Sequence, residues 1–256
     1  MFKHAVVRPP APNFAAGLTT SDLGAPNYAK ALEQHQRYCE ALQHCGLALT
    51  NLEADPRYPD STFVEDTAIL TNRFAVLTRP GAVSRKGEVA IIKDTLARFY
   101  PKLHAITSPG TMDGGDICES DDHFFIGISQ RTNEEGARQL SGILAQEGHT
   151  STCIDIRGIK GILHLKSGLS HLGDNRLVLI DALADQVGFE GYDILHVEPA
   201  ENYAANCVRV NDHVLLAAGY PALQTSMSKL GYSVITLEMS EFQKMDGGLS
   251  CLSLRF

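Results

Sequence analysis

The sequence predicts an α/β fold of five strand–strand–helix–strand repeats, closed by pairing of the two chain ends. Three observations predict it. Short apolar runs recur in pairs around polar turns, and each pair is followed by an amphipathic stretch and then another apolar run. The units that open at Phe63, Asp113, His164 and Ala204 begin roughly 40 to 50 residues apart, within the range of closed or stacked repeats. The first unit is split, with one strand at residues 2–8 and its hairpin partner at 251–255, so closure leaves no open sheet edge there.

The split unit carries a helix over 28–44, where Leu32, Tyr38, Leu42 and Cys45 recur at near-helical spacing, and a closing strand over 48–53. The second unit reads FVEDTAIL, a turn at Thr71-Asn72, FAVLTRP, a helix over 86–100 and a strand over 103–108. In the third, DGGDICES turns at Asp121-Asp122 into HFFIGIS, followed by a helix over 134–147 and a strand over 150–157. The fourth has HLKSGLSHL, a Gly173-Asp174 turn, RLVLID, a short helix over 181–187 and a strand over 193–198. The last full unit has AANCVRV, an Asn211-Asp212 turn, HVLLAAG, a helix over 221–231 and a strand over 233–239. The turn residues are those that tolerate the left-handed backbone of tight hairpins. The expectation is a single catalytic domain over residues 1–256.

Composition narrows the function. Thirty acids stand against 22 Lys and Arg, a formal charge of −8, which argues against nucleic acid or an anionic membrane and permits a small cationic substrate. No apolar run is long enough to span a bilayer, and the N-terminal strand-like run is not a signal peptide. The six cysteines show no Cys-x-x-Cys spacing, so they read as reduced thiols in a cytoplasmic protein. No metal or organic cofactor is expected, because HExxH, GxGxxG and Walker sequences are absent and Gly114-Gly115 lies between acids.

The repeat places the openings of the first strands in one region, and those openings carry Glu65, Asp66, Asp113, His164, Asn206 and Cys251. An isolated cysteine is ordinarily an inert buried residue. Here Cys251 follows an Asp-Gly-Gly turn, whose glycines let backbone approach a ligand closely. A thiol, an imidazole and an acid together form the usual arrangement for attack on an electrophilic carbon, with Cys251 as nucleophile, His164 as proton carrier and Asp113 as its partner. The acids Asp60, Glu65, Asp66 and Asp113 suit a planar guanidinium, which pairs with carboxylates through forked hydrogen bonds. Arg85 and Arg131 follow second strands of their units and are candidates to hold a carboxylate. The remaining histidines lie away from the openings and carry no assigned chemistry.

These residues sit in stretches that resemble the dimethylarginine dimethylaminohydrolases of the guanidine-modifying (pentein) superfamily. The stretches are LTTSDLG (18–24), DSTFVEDTAIL (60–70), RPGAVSRKGE (79–88), MDGGDI (112–117), FFIGISQRTNEEGA (124–137), LHLKSGL (163–169), NYAANC (202–207) and MDGGLSC (245–251). The resemblance implies a five-bladed α/β propeller and hydrolysis of asymmetric dimethylarginine or monomethylarginine to citrulline and an amine. It implies Cys251 as nucleophile, His164 as general acid and base, and Asp113 at a position some bacterial members fill with Glu. It also implies guanidinium contacts from Glu65 and Asp66. Asp60, Arg85, Arg131 and the carbonyls of Leu18 and Met245 would contact the amino-acid end. A homodimer and a mobile N-terminal flap are further implications. Arginine deiminase and amidinotransferase activities of the same superfamily are the alternatives, and a ribosome-binding factor on the same propeller is the non-enzymatic one.

Overall fold

The computed structural model describes residues 1–256 and contains five three-stranded sheets of one design. The first strand pairs antiparallel with the second, and the second pairs parallel with the third. In chain order the elements are β1 (His4–Val7), α1 (Tyr28–His44), β2 (Ala48–Asn51), β3 (Ala68–Leu70), β4 (Ala75–Leu77), α2 (Val89–Leu96) and β5 (Leu103–Ala105). Next come β6 (Ile117–Ser120), β7 (His123–Ile128), α3 (Glu134–Gln146), β8 (Thr150–Asp155), β9 (Leu169–His171), β10 (Arg176–Ile180) and β11 (Asp193–Val197). The last are β12 (Val208–Val210), β13 (His213–Ala217), α4 (Pro221–Lys229), β14 (Ser233–Leu237), α5 (Ser240–Gln243) and β15 (Ser253–Arg255).

Two compact units divide the chain, one of residues 1–65 with 206–256 and one of residues 66–205. The first holds the sheets β15-β1-β2 and β12-β13-β14. In it β15 runs antiparallel to β1, with Ala5 opposite Arg255 and Val7 opposite Ser253, so the two chain ends complete one sheet as the split repeat requires. Helix α1 starts because the Asn27 side chain accepts the Lys30 N–H at 3.0 Å, and it buries Ala31, Gln34, His35, Tyr38 and Leu42 along one face.

The second unit holds the other three sheets. Its core gathers Ile69, Val76, Ile117, Phe124 and Ile126 from the strands and Phe74 from just ahead of β4, with Ala137, Leu140 and Leu144 from α3. Asn133 caps α3 by accepting the Gly136 N–H at 2.8 Å, and Glu134 and Glu135 lie in its first turn, where acids complement the helix dipole. The hairpins reverse through Asp121, Asp174 and Asn175, all with positive φ, at the expected turns.

Two expected helices differ. Between β10 and β11 the segment forms only a 3-10 turn, Asp181–Leu183, not a helix to residue 187. Gly188 has a φ of 99°, and the few residues before it are too short a run to repay helix nucleation. The helix expected over 86–100 begins as a 3-10 turn, Val83–Glu88, and α2 ends at Leu96. Pro101 disfavours helical backbone at Tyr100, and Gly87 weakens the start.

One feature positions the chemistry. Each first strand is preceded by a 3-10 turn: Val64–Thr67, Gly114–Asp116, Leu165–Ser167, Pro199–Ala205 and Ser250–Leu252. Glu65 and Asp66 therefore lie in a turn ahead of β3 rather than in the strand, which begins at Ala68.

Candidate active site

In the second unit three opening turns meet. His164 precedes the Leu165–Ser167 turn, and its Nε2 lies 3.1 Å from Asp113 Oδ2. Asp113 precedes the Gly114–Asp116 turn, has no exposed surface, and accepts the Gly81 N–H on Oδ1 at 2.9 Å. Asp66 accepts the Gly115 N–H on Oδ1 at 2.9 Å and pairs through Oδ2 with Arg85 Nη1 at 2.5 Å. Gly115 makes this convergence possible, since a Cβ there would lie 2.8 Å from His164 Nδ1 and 2.9 Å from Asp66 Oδ1.

The charges follow from this crowding. Burial opposes the imidazolium of His164, but Asp66, Asp116 and the hydrogen-bonded Asp113 outweigh it and raise its pKa to about 9. Burial likewise opposes the Asp66 carboxylate, yet His164, Arg85 and the Gly115 N–H hold its carboxyl down at about 2. At neutral pH the site presents a charged, hydrogen-bonded imidazolium. Asp66, Asp113 and His164 offer three ligand atoms within 4.8 Å of one another. Any cation there competes with the imidazole proton and with the Arg85 guanidinium already on Asp66.

The two arginines differ from each other. Arg131 keeps 18% of its side chain exposed, with Nη1 4.0 Å from Asp113 Oδ2 at the outer limit of an ion pair. Arg85 is buried between Asp66 and Glu88, with Nε 3.0 Å from Glu88 Oε1 and Nη2 2.8 Å from Oε2. Burial disfavours the Arg85 charge, and Glu88 and Asp66 more than restore it. Its guanidinium thus already faces protein carboxylates on two sides. Gly81 lets the loop carrying Arg85 lie on the backbone of Arg131, since a Cβ there would come within 2.3 Å of the Arg131 carbonyl oxygen.

The first unit holds the thiol. Cys251 is 9% exposed in the Ser250–Leu252 turn, and its Sγ accepts the Gly248 N–H at 3.5 Å. Asn206, ahead of β12, accepts the Ser250 N–H at 2.9 Å and donates through Nδ2 to Ser250 Oγ at 3.0 Å. Ser250 Oγ donates to Glu65 Oε2 at 2.7 Å, and Glu65 Oε1 lies 3.6 Å from Arg255 Nη2. The glycine pair serves packing here: a Cβ on Gly248 would lie 2.4 Å from Asn206 Oδ1, and one on Gly247 would lie 2.3 Å from Phe63 Cε1. The positive φ of that turn belongs to Asp246, at 56°.

The remaining sequence-selected residues of this unit also gather. Asp60 Oδ1 accepts the Leu18 N–H at 2.9 Å. A Cβ on Gly17 would lie 2.4 Å from Asp60 Oδ1 and 3.2 Å from Met245 Cε. The loop beyond Leu18 is tied down where Thr19 Oγ1 donates to the Lys244 carbonyl at 2.9 Å and the Thr20 N–H donates to Asp246 Oδ2 at 2.5 Å.

Sequence reasoning missed Asp116, Glu88, Ser129 and Thr132, and gave Asn206 and Ser250 no role. Asp116 had a signal: it immediately precedes the apolar run of β6, much as Asp66 precedes β3. Glu88 had a weaker one, its i,i+3 spacing from Arg85. The threonine and serine hydroxyls had none.

Known proteins resemble the chain over its whole length. The family model described as Arginine deiminase matches residues 29–195. The N(G),N(G)-dimethylarginine dimethylaminohydrolase of Pseudomonas aeruginosa is 48% identical over 257 residues, covering 100% of each chain. A cysteine-to-serine mutant of the Pseudomonas aeruginosa enzyme, complexed with citrulline, superimposes with a TM-score of 0.97 at 47% identity, covering 100% of each chain. A dimethylarginine dimethylaminohydrolase with histidine changed to glycine, as an adduct with S-methyl-L-thiocitrulline, gives 0.96 at 47% identity, again over 100% of each chain. The fold class is therefore α/β, five ββαβ-like repeats matching the pentein fold.

Proposed function

The chain belongs to the dimethylarginine dimethylaminohydrolase family, and on that premise we propose that it hydrolyses Nω-methylated arginine to citrulline and dimethylamine or methylamine. The observation that carries the reading is the buried His164 ring, 3.1 Å from Asp113 and surrounded by carboxylates that favour its protonated form. Such a group is a ready acid for an amine that must leave protonated.

Cys251 attacks the guanidinium carbon as thiolate, and His164 gives its proton to the departing amine. The product of this half is an S-alkylthiouronium on Cys251. His164, now neutral, takes a proton from water and the hydroxide adds to the same carbon; as the C–S bond breaks, the new hydroxyl loses its proton to solvent, where the released amine takes it up as an ammonium ion, and citrulline leaves. The thiolate and the imidazolium are both restored. Glu65 and Asp66 bind the guanidinium side. Asp60, Arg131 and the carbonyls of Leu18 and Met245 bind the amino-acid end. Arg85 contributes there from within its ion pairs with Asp66 and Glu88. The reading includes one catalytic domain over residues 1–256, a homodimer and a cytoplasmic location; no helix is long and apolar enough to cross a membrane.

A second reading, deimination of unmethylated arginine, is favoured by the Arginine deiminase family match. One assay separates them: incubation with asymmetric dimethylarginine, monomethylarginine and arginine in parallel, with citrulline and the released amine measured. Dimethylamine with citrulline supports the proposal, whereas citrulline and ammonia from arginine alone replaces it. Intact-mass trapping of the adduct tests the nucleophile, and a Cys251→Ser variant with full turnover would remove that assignment.

A further inference from the structure

We propose that Asp116 is the positioning residue of this site, a buried carboxylate that fixes His164, Asp113 and Arg131 relative to one another. The inference rests on the reading that these three residues act on substrate.

Asp116 has no exposed surface, and three arms radiate from it. Its Oδ1 accepts the N–H of Leu165, the residue directly after His164, at 3.0 Å. Its Oδ2 accepts the Thr132 hydroxyl at 2.6 Å, and Thr132 Oγ1 in turn accepts the Asp113 N–H at 3.2 Å. Oδ2 also accepts the Ser129 hydroxyl at 2.6 Å, and Ser129 Oγ accepts the Arg131 N–H at 2.9 Å and the Thr132 N–H at 3.1 Å. One side chain thus reaches the backbone at or beside each of the three residues.

The arms require a carboxylate. Both hydroxyls use lone pairs to accept backbone N–H groups, so their protons must go to an acceptor. A carboxylate oxygen receives both, whereas an amide nitrogen at that place would offer more protons to hydroxyls that already accept. Gly127 packs closely enough that an added Cβ would lie 3.0 Å from Asp116 Oδ1. The charge is unfavourable there: burial and the neighbouring Asp113 push the Asp116 carboxyl up to about 6, against relief from His164, Ser129 and Thr132. Asp66, Arg85 and Glu88 complete the charged surroundings of His164 and Asp113. A buried ionised carboxylate kept at such a cost fits the task of holding several partners at once.

The arms separate in kinetics, which a merely structural role would not produce. Ser129→Ala releases the Arg131 arm together with one of the bonds on Thr132, and should raise KM for asymmetric dimethylarginine about tenfold with a much smaller fall in kcat. Thr132→Val releases the Asp113 arm and should lower kcat about tenfold with KM nearly unchanged. Asp116→Asn should lower kcat about 100-fold, the scale of a small misplacement of catalytic groups. An NMR titration of the histidine rings adds a readout independent of turnover: the His164 midpoint should fall in Asp116→Asn and hold in Ser129→Ala. A fall in kcat and a rise in KM that run in parallel in all three variants, or an unmoved His164 midpoint in Asp116→Asn, overturn the proposal. If Asp116→Asn does not fold, the two single-arm variants decide. If the wild type leaves methylarginines untouched, the functional reading fails while the titration still judges Asp116.

Discussion

The two units join their opening turns with the same hydrogen bond and opposite electrostatics. In the second unit Asp66 accepts the Gly115 N–H at 2.9 Å and Asp116 accepts the Leu165 N–H at 3.0 Å. In the first, Asn206 accepts the Ser250 N–H at 2.9 Å. Each acceptor reaches the opening of the following repeat, so the bond is a recurring joint of the fold. Where the neighbour is an imidazole the joint is a carboxylate, and His164 is held charged. Where the neighbour is the Cys251 turn the joint is an amide, which keeps the geometry and adds no negative charge beside a thiol. The difference teaches that position is set by the fold, while protonation is set by which atom stands opposite the acceptor oxygen.

The largest test removes the group that the charged joints serve. His164→Ala should lower kcat on asymmetric dimethylarginine by about 10²–10⁴-fold, the usual weight of a general acid and base. Steady-state kinetics near wild-type values would mean that the charged joints hold no catalytic group.

The next test uses pH. His164 has its folded pKa raised from 6.5 to about 9, so its stabilising contribution is complete below 6.5 and is lost as pH rises through 9. The shift corresponds to about 3 kcal/mol at 1.36 kcal/mol per unit. Asp66, held low at about 2, contributes above 3.8 and loses its share only as pH falls toward 2. Melting temperature should therefore decline between pH 6.5 and 9, and the decline should shrink in His164→Ala. A flat profile across that window refutes the charged-joint account.

A smaller test moves charge into the neutral joint. Asn206→Asp keeps the acceptor for the Ser250 N–H and adds a carboxylate one residue from Cys251. Raising the thiol pKa by one unit makes alkylation by iodoacetamide at pH 7 about tenfold slower at Cys251, read by peptide mass mapping. Equal rates in variant and wild type would mean that the amide has no electrostatic purpose. The smallest effect is expected at the exposed pair Arg138–Glu135, 2.7 Å apart with 73% of the arginine side chain in solvent. Arg138→Ala should leave the melting temperature unchanged, because exposed ion pairs contribute little. A clear drop there would show that strong coupling in this protein does not depend on burial.

The repeat was legible because strands and hairpin turns are local. Paired apolar runs, with Asp121 and Asp174 at the turns between them, announce themselves within a few residues. The β1–β15 closure followed by counting the strands left over. His164 and Asp113 were readable as openings, and they do meet. The partners of Arg85 were not, since Asp66 lies 19 positions away in sequence and no local pattern records that a guanidinium will be buried against it. Asp116 was passed over for a related reason. A carboxylate in an acidic Gly-rich motif looks like a solvated turn until the fold shows it wholly enclosed, with Ser129 and Thr132 pointing their hydroxyls at it.

The recurring joint also has a genetic consequence. Aspartate and asparagine codons differ by a single base, and the two side chains have nearly the same shape. The neutral joint at Asn206 therefore stands one point mutation from a carboxylate, with its acceptor oxygen for the Ser250 N–H left in place. A lineage carrying this fold can retune which of its loops bear charge without first inventing a new way to fold.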